Sequence, residues 1–196
     1  MSSRSKAGSR PRVMKRVHRF IIGSAPRPYI TLDMVVSEDW EILDATAGLR
    51  FFWRRRDAKR VLFLDLRREV FPDIVGSNEF LPFQDGVFSQ VFYDPSYFYG
   101  KEEGSGFFRT DLGFRFWAWK SKRQLLRNVI AVNREFWRVL RPDGVLLFEW
   151  TDMPGGVPHE FVLGLLNNFR LVDSRKSRSK GGTENIAYLF TLKKIE

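Results

Sequence analysis

The sequence predicts an α/β domain on an open sheet with parallel strands, and three observations carry that expectation. Apolar runs of strand length recur at 61–64, 87–93 (interrupted by Ser89-Gln90) and 145–148, the pattern of strands buried on both faces. One long helical periodicity, at 121–140, separates the last two. Each run also leads into an acid, Asp65, Asp94 and Glu149 in turn, and the shorter Ile42-Leu43 leads into Asp44. Ligands of an open parallel sheet sit beyond the carboxyl ends of its strands, where such side chains emerge. One acid there is an ordinary turn cap; four in series point to a site.

The elements follow in order. Residues 1–28 carry eight basic side chains between Arg4 and Arg27 and no acid. They read as a basic, flexible arm ahead of a single domain at 29–196. Phe20-Ile21-Ile22 is too short for a secretory signal core, whereas an organelle transit peptide has a similar composition. Asp44-Ala45-Thr46-Ala47-Gly48 is a small-residue turn after the first strand. In the helix at 121–140, Leu125, Leu126, Val129, Ile130, Phe136, Trp137 and Leu140 form an apolar stripe, and Ser121 suits the N-cap. Arg141-Pro142-Asp143-Gly144 ends that helix and turns into the next strand. Residues 159–169 read as a weaker helix. Leu171-Val172 and 186–192 flank a basic turn, as the strands of a closing antiparallel hairpin do.

Composition narrows the function. A chain of 196 residues can bury one proper core. No apolar run approaches the roughly 18–20 residues that cross a bilayer, so no membrane partner is expected. The net charge of +10 favours a polyanion, nucleic acid before an anionic membrane surface. Cysteine is absent, which removes disulfides, thiolate metal sites and cysteine nucleophiles. With His18 and His159 the only histidines, no metal centre is expected.

"EILDATAG", "VLFLD", "LPFQDGVFSQVFYD" and "REFWRVLRPDGVLLFEW" stand in the order and spacing of a known family. Over 41–195 the chain resembles class I S-adenosylmethionine-dependent methyltransferases, of the type 11-like kind. The resemblance implies a Rossmann-like seven-stranded, mostly parallel sheet with helices on both faces and a C-terminal antiparallel hairpin. It also implies S-adenosyl-L-methionine as cofactor and a cytoplasmic enzyme. Asp65, followed by Leu66, matches the acid that takes both ribose hydroxyls, since a carboxylate has two oxygens for two donors. Asp44, Ala45, Thr46 and Gly48 match the turn facing the methionine end, where glycine lets backbone approach ligand. Thr46 and Arg50 stand where the family usually has glycine. Ser77 replaces an acid that often faces the adenine amino group, and Asn78 offers an acceptor instead.

Asp94-Pro95-Ser96-Tyr97 resembles the Asp-Pro-Pro-Tyr signature of methyltransferases that modify exocyclic amino groups of bases, with Ser96 in place of the second proline. An amino nitrogen conjugated with a ring is a poor nucleophile. Acceptors on both its N–H groups, Asp94 and the Pro95 carbonyl, aim its lone pair at the methyl donor. Tyr97 stacks on the extruded base. The bland alternative is a turn after a buried strand. Beyond it, Phe98, Tyr99 and further aromatics alternate with glycines and with Lys101, Arg109 and Arg115. That mixture offers stacking faces beside phosphate contacts, or else a lid packed on its own rings. The leading expectation is amino-group methylation of a base in RNA, ahead of DNA. Small-molecule or protein methylation is the second, and a non-catalytic nucleic-acid-binding protein on a degenerate methyltransferase fold is the third.

Overall fold

The structure, a computed structural model, describes residues 40–54, 56–99, 119–178 and 185–196. The basic arm and nearly all of the aromatic-glycine segment, Arg109 and Arg115 included, lie outside the described residues. Seven strands form one sheet: β1 (Ile42–Asp44), β2 (Val61–Asp65), β3 (Ile74–Val75), β4 (Phe88–Tyr93), β5 (Leu140–Asp152), β6 (Phe169–Arg178) and β7 (Ile186–Lys194). Their spatial order is β3-β2-β1-β4-β5-β7-β6. Strands β1 to β5 pair parallel, and β7 runs antiparallel to both β5 and β6. The chain leaves β1 toward β2 and β3, then crosses back to β4 on the other side. The crevice at such a reversal, between β1 and β4, is where open α/β sheets bind ligands.

Alternation along the strands sorts the apolar side chains onto two faces. Leu43, Leu62, Leu64, Val91, Tyr93, Leu146, Phe148 and Trp150 join the larger cluster. Helices α1 (Lys122–Val139) and α2 (His159–Leu165) cover that cluster. The opposite face carries Phe63 and Phe92 under Trp53 and Phe52 of a 3-10 turn at Phe51–Trp53. The Phe52 and Phe92 rings stack there at 3.9 Å.

Helix α1 starts as expected, with the Ser121 hydroxyl accepting from the Gln124 amide at 3.2 Å. Its buried stripe is rotated from the expected one: Leu125, Val129, Val132, Phe136 and Val139 are buried, while Ile130 and Trp137 are exposed. Two asparagines share the buried side, each with partners: Asn128 with Tyr93, Asn78 and Glu79, and Asn133 with Asn167 and Asn168. β5 begins earlier and ends later than its apolar run. Its ladder with β4 breaks between Phe88 and Gln90, and Arg141, Pro142 and Asp143 bulge out exposed.

One clamp joins the two most recognisable motifs. Arg138 donates to the carbonyls of Leu81 at 3.0 Å and Phe83 at 2.6 Å, and to Asp85 at 2.8 Å. Glu135 holds the same guanidinium at 2.8 Å and accepts the Leu81 amide at 2.9 Å. The loop ahead of β4 is thereby tied to the end of α1 through backbone groups that would otherwise lose their partners. Arg138→Ala is expected to cost roughly 2–3 kcal/mol of stability, seen as a lower urea midpoint; an unchanged midpoint contradicts the clamp.

Candidate functional site

A cavity of about 410 Å³ opens at the carboxyl ends of β1, β2, β4 and β5. Register explains which side chains enter it. Asp44 pairs with Phe63 of β2 and Phe92 of β4, so its carboxyl shares the sheet face of those rings. The expected residues Asp44, Ala45, Thr46, Gly48, Asp65, Leu66, Ser77 and Asn78 all line this cavity, as do Asp94, Pro95, Ser96, Tyr97 and Phe98. Tyr99 stands outside the lining and donates its hydroxyl to the Gly155 carbonyl at 2.9 Å.

The turn after β1 is built around Asp44, which is only 1% exposed. Its two oxygens accept the Thr46 amide at 3.0 Å and the Trp53 indole N–H at 2.7 Å. Burial pushes the carboxyl up to about 7, against the pull of those two donors. Thr46 has a structural use at its glycine position: its hydroxyl accepts the Asp94 amide at 2.7 Å, bridging β1 and β4 across the crevice. Gly48 has φ +48°, and Arg50 adopts φ +57°, a left-handed conformation that favours glycine. The Arg50 guanidinium lies 4.0 Å above the Phe63 ring and donates to the Phe71 carbonyl at 2.9 Å.

Asp65 is occupied. One oxygen accepts the Arg67 amide at 2.8 Å and Nε at 3.1 Å; the other accepts the Gly48 amide at 2.8 Å and Arg67 Nη2 at 3.2 Å. Four donors fill the roughly four acceptor positions of a carboxylate. Farther along, the Ser77 hydroxyl accepts the Glu79 amide at 3.2 Å, within its own loop. The Asn78 amide group donates to the Ala45 carbonyl at 3.4 Å, and its oxygen accepts from Asn128 at 2.9 Å. Glu79, bound to Asn128 at 2.8 Å, lines the cavity beside them.

At the other end, Asp94 is open to the cavity, and no donor among the described residues is paired with its carboxylate. Loss of hydration raises its pKa well above the ordinary value, and the Glu149 and Asp44 charges add to that rise. Tyr97 is half-buried, 4.3 Å from the Phe98 ring. Burial also raises its phenol, as do the charges of Asp94 and Glu149. Trp119 fixes this segment by donating its indole N–H to the Ser96 carbonyl at 2.7 Å.

Sequence reasoning missed Trp53, Arg67, Glu79 and Asn128 as parts of the site. The acid at 149 was noticed as a strand end and not placed in the site; it lines the cavity. Away from it, Asp152, His159 and Glu160 bring ligating atoms within 4.8 Å of one another. There the His159 ring is held by Asp152 at 2.6 Å and stacked on Tyr188 at 4.1 Å.

Asp44 gives a signed pH dependence. Its proton is bound more tightly in the folded chain, near 7, than at the 3.8 of an unperturbed aspartate. The stability it contributes is complete below the lower value and is lost as pH rises to and through the upper, on the order of 4 kcal/mol. Asp44→Asn should flatten the fall in urea midpoint between about pH 4 and about pH 7. An unaltered slope removes Asp44 as its source.

No protein-family model matches the chain, and no curated protein does. Solved structures match in shape. PH0226 protein from Pyrococcus horikoshii OT3 has a TM-score of 0.54 and 14% identity, over 79% of this chain and 82% of that one. The N-methyltransferase NodS from Bradyrhizobium japonicum WM9, solved with S-adenosyl-L-homocysteine, has a TM-score of 0.51 and 12% identity, over 79% and 76%. The cyclase SpnF reaches 0.51 at 13% identity, over 79% and 75%. A methyltransferase and a cyclase thus share one scaffold, and at these identities the likeness speaks for the scaffold alone. The chain has the seven-stranded Rossmann-like α/β fold of these proteins.

Proposed function

We propose that this protein is an S-adenosylmethionine-dependent methyltransferase acting on an exocyclic amino group of a base in RNA, with DNA second. One observation carries the reading: the Asp94 carboxylate, without a donor among the described residues, opens into the cavity beside Pro95 and Tyr97, at the crevice between β1 and β4.

The cavity suits the cofactor in size, since small-molecule sites run from about 300 to 1,000 Å³. Asp44 and the turn to Gly48 would hold the methionine end, Asp65 the ribose, and Asn78 with Glu79 the adenine. A Cβ at Gly48 would meet only ordinary contacts, 3.5 Å from Arg67 Nη2 and 3.7 Å from the Thr46 carbonyl, so the positive φ and not crowding is what favours glycine there. When bound, the cofactor supplies a methyl group made electrophilic by a sulfonium. Asp94 accepts one amino N–H and the Pro95 carbonyl the other, which turns the nitrogen lone pair out of conjugation. Asp94 then takes the proton that the methylated nitrogen releases. Tyr97 and Phe98 hold the ring plane.

Nucleic acid is supported by charge beside the cavity. Lys120, Lys122, Arg123 and Arg127 are exposed at the start of α1, next to Trp119 and Gln124 of the lining. Phosphates are held by such groups without sequence preference. The saturation of Asp65 by Arg67 favours one competing reading, a nucleic-acid-binding protein that no longer binds cofactor.

Transfer of labelled methyl from the cofactor to total RNA, DNA and protein fractions tests the proposal; label in RNA is expected. Label confined to protein or small molecules contradicts it. Asp94→Ala should lower transfer about a hundredfold or more, with S-adenosylhomocysteine binding within about twofold by calorimetry; full turnover removes the acceptor role. Arg67→Ala frees Asp65 and should tighten S-adenosylhomocysteine binding, whereas Asp65→Ala weakens it by about tenfold or more. If none of these proteins gives a heat of binding, the degenerate reading stands.

A further inference from the structure

Asp94 has a neighbour of like charge. Tyr93 of β4 is in register with Phe148 of β5, and their rings stack at 5.6 Å on the face covered by α1. The next residues along the two chains, Asp94 and Glu149, therefore emerge together on the opposite face, where the cavity lies. Neighbouring strands are about 4.8 Å apart, so the two carboxyls stand side by side. Among the described residues neither is paired with a hydrogen-bond donor; Arg56 acts on Glu149 only through its charge. Asp94 is exposed to the cavity and Glu149 half-buried, yet the protein packed around them opposes ionisation of both, and each is close enough to act on the Tyr97 phenol. Two like carboxyls held side by side favour sharing one proton, leaving one acceptor and one donor next to each other.

We propose that Glu149 is a specificity-determining residue: with Asp94 it forms a one-proton carboxyl pair that reads the N=C–NH2 edge of a planar base. Asp94 accepts an amino N–H, and Glu149 donates its proton to the ring nitrogen beside the amino-bearing carbon. Tyr97 and Phe98, which line the cavity, supply flat faces on which a planar heteroaromatic ring stacks. Adenine-type and cytosine-type edges present this acceptor-and-donor pattern. The Watson–Crick edge of guanine offers donors at both positions and meets the Glu149 proton with an N–H of its own, while its N3 side lies against the ribose in a nucleotide. A site built to hydrogen-bond one pattern discriminates strongly against its mismatch.

The inference rests on the methyl-transfer reading of the same cavity, so the test separates them. Calorimetry with S-adenosylhomocysteine comes first, and failure there counts against the cofactor reading alone. The full chain, with that ligand where it binds and without it where it does not, is then titrated by NMR with 4-aminopyrimidine and with aniline. The first is a minimal carrier of the edge, and the second has the amino group on a ring without the neighbouring nitrogen. The groups facing the pair are Asp44 from β1, Tyr97 from the segment after β4 and Arg56 from the turn after β1.

At neutral pH 4-aminopyrimidine should bind about tenfold or more tighter than aniline. The preference should fade as pH rises and the shared proton leaves. Glu149→Gln keeps an N–H donor without the titration, so it should retain the preference and flatten its pH dependence. Glu149→Leu should abolish it. Equal or tighter binding of aniline overturns the proposal, and so does a Glu149→Leu protein with the preference intact. If methyl transfer occurs but marks guanine, the transferase reading survives and the carboxyl pair does not.

Discussion

The parallel register of β1, β4 and β5 is the constraint on which the site depends. It places Asp44 in line with Phe92, and brings Asp94 and Glu149 to one level two residues further on. No loop geometry is needed to assemble these acids, because side chains at matching positions on neighbouring parallel strands share a face. The apolar ladders beneath them, with Leu43, Val91 and Phe148 almost fully buried, hold that alignment. Packing energy spent on the core is thus what keeps like charges together against their repulsion.

The two ends of the cavity are electrostatically different. At the ribose end the acid is saturated, with Arg67 folded back on Asp65 and the Gly48 amide completing its shell. At the transfer end the acids lack donors among the described residues; desolvation raises both, and the charges of Glu149 and Asp44 raise Asp94 further. Asp44 lies between these extremes, ringed by donors yet pushed up to about 7. A ligand entering this cavity meets competition at one end and unmet acceptors at the other.

The strands were legible because their apolar runs have strand length and their terminal acids stand out. The helix at 121–140 was legible as an element, but its orientation was not. Ile130 and Trp137 fit the same periodicity as Val132 and Val139, and only tertiary packing decides which set is buried. Asn128 reads as a polar interruption in sequence; in the fold it ties Tyr93 to the Asn78-Glu79 loop. Trp53 and Arg67 were invisible as site residues since nothing local says that an indole nine residues on, or a guanidinium two residues on, will turn back onto an acid. Thr46 and Arg50 read as departures from a glycine pattern. The structure gives Thr46 a bond to the Asp94 amide, and Arg50 a contact with Phe63 that accompanies its left-handed backbone. Arg109 and Arg115 lie outside the described residues, so their expected contacts with substrate remain sequence expectations.

The hairpin leaves β6 as the last strand of the sheet, ten residues long, with Leu171 and Val172 about half exposed. An open edge of that length is a template on which a second chain can add a strand. Arg175 and Lys176 stand exposed along it, and an identical chain docking there would bring the same cations into contact. Cations placed in this way along an edge strand, even with Arg175 beside Asp173, make strand addition by an identical chain less favourable. High salt, which screens that repulsion, is the condition under which such sheets would begin to join end on end.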